Sequence, residues 1–235
     1  MKKLFLILIV AAFVILFPKS LSAQSGSLNF TSAFPMGEFK NNLDKTGFGI
    51  GGSFMFWLPT SDLPVSVGLN IGFINYGNEL RREPFSSTIP DVTVDVERSN
   101  NLVNFHLLFQ VGATSGVVRP YAEALFGGSY LFTETQILSR GNDEVASSTN
   151  FDDFAWSYGG GAGFLIQLTD NEMGDFSSIF LDIKARYLFG SSAEYLKEGS
   201  VRINNGRVSY DVSKSKTDML TAQIGVTAYF NSISF

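Results

Sequence analysis

What most limits the fold open to this chain is a two-residue alternation that segment after segment repeats. Residues 179–189 set the pattern: Ile179, Leu181, Ile183, Ala185, Tyr187 and Phe189 are apolar or aromatic, and Asp182, Lys184 and Arg186 sit between them. Neighbouring side chains of a strand point to opposite faces, so such a segment reads as a strand with one greasy and one polar surface. The pattern recurs with Phe48, Ile50, Phe54, Phe56 and Leu58 against Gly47, Gly49, Gly51 and Ser53. It recurs again with Val65, Val67, Leu69, Ile71 and Phe73 against Ser66, Gly68, Asn70 and Gly72. A sheet assembled from these segments is greasy outside and lined inside by Gly, Ser, Asn, Gln and a few charges.

Eight strands follow, over residues 28–34, 46–58, 65–76, 102–111, 119–135, 154–168, 179–189 and 218–230. The connections between them alternate. Residues 38–45, 77–101, 136–153 and 190–217 are long and polar, whereas 59–64, 112–117 and 169–175 are short. Bacterial outer-membrane barrels have an even strand number, short periplasmic turns and longer extracellular loops. The expected fold is therefore all-β, an eight-stranded antiparallel up-and-down transmembrane β-barrel. A soluble lipocalin-like barrel has the opposite polarity, and the Phe, Trp and Tyr face is too bulky to fit inside eight strands. Phe56, Trp57, Tyr229 and Phe230 at the short-turn ends, and Tyr76, Tyr130, Phe154, Trp156 and Tyr187 at the long-loop ends, suit interfacial girdles. Inside 190–217, Val201 and Ile203, then Asn204-Asn205-Gly206, then Val208 and Tyr210 read as a hairpin.

The amino-terminal residues agree with export. Lys2 and Lys3 precede an apolar run over residues 4–17, and small residues lead to Ala23, which is the layout of a secretory signal peptide. The run is shorter than the roughly 20 residues a spanning helix needs. Residues 1–23 are expected to be cleaved, leaving 24–235 as the barrel. Loss of Lys2, Lys3 and Lys19 takes the 17 basic residues to 14 against 22 acidic ones, a formal charge of -8. That balance argues against a nucleic-acid partner. The chain has no cysteine, which removes a lipoprotein anchor, disulfides and thiolate metal sites.

On the polar face, His106, Glu123, Asp182, Lys184, Arg186 and Gln223 fall in one slab if each residue advances ~2.5 Å along the barrel axis. Glu123 and Asp182 balance Lys184 and Arg186. A buried polar plug requires that neutrality, since an unpaired buried charge costs several kcal/mol. A gated polar path or a catalytic cluster are the alternatives. His106 is the only histidine and faces inward, with no nucleophile motif beside it. No catalytic residue, metal site or cofactor is therefore expected. Gly159-Gly160-Gly161 lies in mid-strand with no helix after it and reads as room for bulky interior neighbours.

The segments Phe34-Pro35-Met36-Gly37-Glu38-Phe39, Arg119-Pro120-Tyr121-Ala122-Glu123, Ala185-Arg186-Tyr187-Leu188-Phe189-Gly190 and residues 223–230 carry a family likeness. Over nearly all of the mature chain the sequence resembles small outer-membrane barrels grouped with the OmpA and OmpX transmembrane domains. The resemblance implies a bacterial outer-membrane location among lipid and lipopolysaccharide. It also implies that Gln223, Gly225, Ala228 and Phe230 form the signal read by the barrel-insertion machinery, with Phe235 an alternative terminal aromatic. The expected role is structural or interactive: envelope integrity, adhesion or docking to an envelope protein through loops 77–101 and 190–217. A small porin-like channel and an outer-membrane lipid-modifying enzyme are the alternatives.

Overall fold

The computed structural model describes residues 24–43, 45–60, 63–86, 89–138, 144–169, 176–204 and 207–230. The expected leader at 1–23, Phe235 and most of the turn at 169–175 lie outside these residues. In chain order the elements are β1 (Gln24–Pro35), α1 (Gly37–Asn42), β2 (Gly47–Trp57), β3 (Val65–Ser86), β4 (Ile89–Gly112), β5 (Val118–Leu138), β6 (Glu144–Thr169) and β7 (Phe176–Gly190). Four short strands follow, β8 (Ser192–Tyr195), β9 (Val201–Asn204), β10 (Arg207–Tyr210) and β11 (Ser213–Lys216), and then β12 (Met219–Phe230). Strands β1 to β7 and β12 form a closed antiparallel barrel, with β12 laid along β1 from Gln24↔Phe230 to Pro35↔Met219.

Closure pairs the backbone of the wall within the wall, which a sheet must do to cross hydrocarbon. The outer face then shows what surrounds it. Leu28 is 77% exposed and Phe30 72%, and Ile50, Ile71, Phe126, Trp156, Phe164 and Ile224 stand out beside them. Apolar surface left in water costs about 25 cal/mol per Å², and an apolar face this extensive marks contact with lipid or another apolar partner. The barrel has the build of one that spans a membrane, with the outer ends of the first and last strands and the short turns at one rim.

Above the opposite rim the strands run on. The β3–β4 register continues from Asn75↔Asn101 to Ser86↔Ile89, and β5 stays paired with β4 as far as Asp95↔Leu138. Residues 77–101 and 136–153, expected as polar connections with the fourth strand beginning early over the alternating Val92, Val94 and Val96, are mostly strand among the described residues and make a four-stranded wing. The wing's outer face meets water and its inner face meets the polar turn at 197–201, so the hydrophobic period fades from most of its sequence while the backbone pairing persists. Two smaller departures have local causes. A register shift between Met55 and Trp57 turns Trp57 outward opposite Val67 and sends Leu58 against the interior, where strict alternation put Phe56 and Leu58 outside. The expected polar loop at 38–45 contains α1, whose Phe39 is fully buried.

Candidate functional site

The barrel interior is built in three layers. At the short-turn end Tyr121, Leu165 and Phe180 pack with Tyr229, and the Arg119 guanidinium sits 4.5 Å over the Phe180 ring. This floor is apolar and closed by a cation–π contact.

The middle layer is polar, and the sheet register explains its geometry. Glu123 on β5, Gly161 on β6 and Arg186 on β7 are successive ladder partners. Arg186 donates Nε to Glu123 Oε1 at 2.5 Å and its terminal nitrogen to Oε2 at 3.1 Å, a two-pronged pair across the glycine. A Cβ on Gly161 would lie 2.8 Å from Arg186 Cγ and would crowd the Ala185 carbonyl oxygen more closely still, so only glycine lets the guanidinium cross. The same device recurs with Gly163 between Tyr121 and Lys184, where a Cβ would meet both side chains at 2.7 Å. Lys184 donates to Asp182 at 2.8 Å, and the Tyr121 hydroxyl donates to the other Asp182 oxygen at 2.5 Å. A third row places Gly127 between His106 and Ser157, whose Nε2 and Oγ are hydrogen-bonded at 3.0 Å.

His106, Glu123, Asp182, Lys184 and Arg186 are thus all buried, and the four charges resolve into two pairs. Gln223 is half-buried opposite Thr31 and Lys184, and among the described residues no side-chain hydrogen bond joins it to those pairs. Tyr121, Thr227, Gly127 and Gly163 were not singled out as members, whereas Gly161 belongs to the run expected to leave room for bulky interior neighbours and does so for Arg186. Tyr121 sits two residues before Glu123 and so shares its face, a signal the sequence does carry. The glycine roles need the register, which alternation alone does not supply. Beside the ion pairs a cavity lined by Ser25, Ser27, Ser66, Asp182, Lys184 and Thr227 has ≈ 20 Å³ of water-accessible space, room for about one water molecule. On β12, Gln223 and Gly225 follow the inward alternation, while Ala228 and Phe230 follow the outward one.

The upper layer was not foreseen as apolar. Ile74, Leu102, Leu131, Leu188 and Met219 point in from the wall and close around Phe39 of α1 and Tyr195 of β8. The Phe39 ring meets Tyr195 edge-on at 5.1 Å and Tyr76 at 6.3 Å. Tyr195 is held by Ser215 at 2.7 Å and by Asn42, which donates to its hydroxyl at 3.0 Å. Strands β8 and β11 pair with each other, as do β9 and β10, so the connection 191–217 is a folded crown over the mouth. Among the described residues no three His, Asp or Glu side chains gather as metal ligands.

The closed ladder, the lipid-facing exterior and the filled interior define a class, the eight-stranded outer-membrane β-barrel. No protein-family model matches the chain, and no curated protein matches it in sequence. Among solved structures it is similar to Ail, the attachment invasion locus protein of Yersinia pestis, at 15% identity over 89% of this chain and 99% of that one, with a TM-score of 0.36. Neisserial surface protein A is 12% identical over 88% and 95% of the two chains, with a TM-score of 0.36. A major outer membrane protein of Thermus thermophilus is 11% identical over 88% and 99%, with a TM-score of 0.38. Likenesses this distant add no weight to the assignment, which rests on register and faces.

Proposed function

We propose that the protein is a non-conducting outer-membrane anchor that presents its extracellular wing and crown for docking. The observation that carries this reading is the pair Glu123–Arg186 spanning the interior at mid-depth beneath an apolar stopper. His106, Glu123, Asp182, Lys184, Arg186 and Gln223 then serve as a structural plug. The mature chain starts after a signal peptide at 1–23, and Gln223, Gly225, Ala228 and Phe230 guide insertion, in line with the likeness to OmpA- and OmpX-type domains. Lipid and lipopolysaccharide surround the wall.

The wing supports the docking half of the reading. Its β6 edge lacks a ladder partner above Ser157↔Gly190 among the described residues, and Ala146, Ser147, Ser148 and Thr149 there are exposed and uncharged. The opposite edge, on β3, carries Arg81 and Arg82 and is capped where Asn78 N–H donates to Glu198 at 3.2 Å. Strand edges that proteins keep free of partners are guarded by charge or proline, and between Glu144 and Asp152 the β6 edge has neither. It suits an extended segment of an envelope protein added as a further strand. Planar-bilayer recording of the refolded, purified protein tests the anchor: no stable conductance steps are expected, and regular large steps would overturn it.

A further inference from the structure

The turn over residues 197–200 touches two other extracellular segments at once. Gly199 N–H donates to Glu79 Oε2 at 3.2 Å, and the neighbouring Glu198 accepts from Asn78 N–H at 3.2 Å and pairs with Lys45. Arg81 donates to Glu79 Oε1 at 2.5 Å and, through another nitrogen, to the Val201 carbonyl at 3.3 Å. Arg98 from β4 reaches Glu79 Oε2 at 3.3 Å and Thr135 on β5 at 3.3 Å. Glu79 is therefore the point where the inner face of the wing grips the crown. The geometry leaves little slack: a Cβ on Gly77 would meet the Glu198 side chain at 3.3 Å, and Gly199 adopts a left-handed φ of +76°.

We propose that Glu79 is an acid-sensitive latch: when it is protonated, the crown formed by residues 191–217 lifts from the wing and uncovers the apolar upper layer. As a carboxylate, Glu79 accepts from Gly199, Arg81 and Arg98 together. As a carboxylic acid it loses the charge that makes those bonds strong and brings a hydrogen that competes with the donors. Arg81 and Arg98 are then left side by side with their shared counter-charge gone. The remaining groups facing this point are Glu198 and Lys45, paired with each other, and the Tyr210 hydroxyl on the crown's own hairpin. They give the turn a second and weaker hold.

Burial pushes the Glu79 carboxyl up, but the Gly199 N–H, Arg81 and Arg98 outweigh it and hold the group below its ordinary value of 4.5. A group depressed in the folded state stabilises the contact fully above its unfolded value. That contribution is lost as the pH falls through the lowered one. The crown is thus latched at neutral pH and frees as the pH falls through the lowered Glu79 value.

The absence of cysteine makes the test direct, since spin labels can be placed at will. One pair, Asp211→Cys with Ser147→Cys, reads crown against wing; a second, Ser115→Cys with Ser147→Cys, reads wing against the short-turn rim. In lipid vesicles at neutral pH the crown pair should give one distance population by pulsed dipolar spectroscopy. As the pH is taken down through the lowered Glu79 value a longer population should become the larger one, and Glu79→Gln should bring it out at neutral pH. Glu198→Gln should shift the balance less. A crown distance unchanged both by acid and in Glu79→Gln overturns the latch. So does a simultaneous change in the second pair, because acid would then be melting the barrel rather than freeing the crown.

Discussion

The middle and upper layers of the interior solve one packing problem by opposite means. In the middle, side chains of the wall meet side chains of the wall: Arg186 crosses to Glu123, Lys184 folds onto Asp182, and glycines stand between the partners. In the upper layer the wall contributes Ile74, Leu102 and Leu131, but the centre is filled from outside by Phe39 and Tyr195 of the loops. Eight strands leave a bore that side chains can just fill. Where the wall carries long charged residues it fills itself, and where it carries medium apolar ones it borrows aromatic rings from the crown. The first arrangement is integral to the barrel and the second is detachable, and substitutions can separate the two.

The largest loss is expected from Arg186→Ala. It strands the Glu123 carboxylate, which is 7% exposed, and removing one partner of a buried pair costs ~3–5 kcal/mol. Denaturant unfolding in vesicles, followed by the shift of the heat-modifiable band, gives the number. The double variant Arg186→Met with Glu123→Leu should recover most of it, because a well-packed apolar pair of similar volume is about as stable as the ions. If the double variant unfolds as readily as the single one, the pair is not the source of the loss.

Gly161→Ala should come next, at ~1–3 kcal/mol, because the added methyl enters the gap that the guanidinium crosses. Gly72→Ala is its control. Gly72 also faces inward, yet a Cβ there has only the Ile50 carbonyl oxygen, at 3.9 Å, for company. A near-neutral Gly72→Ala beside a destabilised Gly161→Ala would tie the glycines of β6 to spacing rather than to backbone freedom. Equal effects would remove that distinction.

These glycines mark the boundary of what the sequence makes legible. The wall could be read because one hydrophobic face repeats at period two through every strand, and the charges Asp182, Lys184 and Arg186 fell inward by the same rule. Which charge meets which depends on the stagger between strands, and a period repeated identically in each strand carries no information about stagger. The wing was legible only over the alternating Val92, Val94 and Val96, and the rest was hidden because its strands carry mostly polar residues on both faces. The upper layer was hidden for a different reason: Ile74, Leu102 and Leu188 each adjoin an outward apolar residue, so they look like part of a greasy run. Phe39 is a lone aromatic in a polar stretch of six helical residues, too short to show any period. The hairpin of β9 and β10 could be read because its two alternating runs flank a turn signal.

His106→Ala should cost less than either change at the ion pairs, about 1 kcal/mol, the ordinary worth of one hydrogen bond. It removes the contact from Nε2 to Ser157 but leaves no charge behind, and Gly127 between them gives the Ser157 hydroxyl room to turn. The same denaturant series measures it. A loss as large as that of Arg186→Ala would mean that His106 supports the ion pairs rather than filling its own row.

The smallest effect on global unfolding should come from Phe39→Ala, although Phe39 is buried to 1% and a rigid core would lose ~3–5 kcal/mol on that change. The difference lies in what the ring holds. Phe39 belongs to α1 and touches Tyr195 of the crown and Tyr76 near the rim, so its removal loosens two loops against each other while the wall ladder stays paired. Local openings of this kind cost less than unfolding the whole and show up only in the segments that open. Hydrogen exchange should therefore accelerate at amides of α1 and of residues 191–217, with β5, β6 and β7 unchanged and the unfolding midpoint shifted by less than about 1 kcal/mol. If the wall strands exchange faster as well, the upper layer is part of the barrel's own core, and the division between an integral plug and a detachable crown fails.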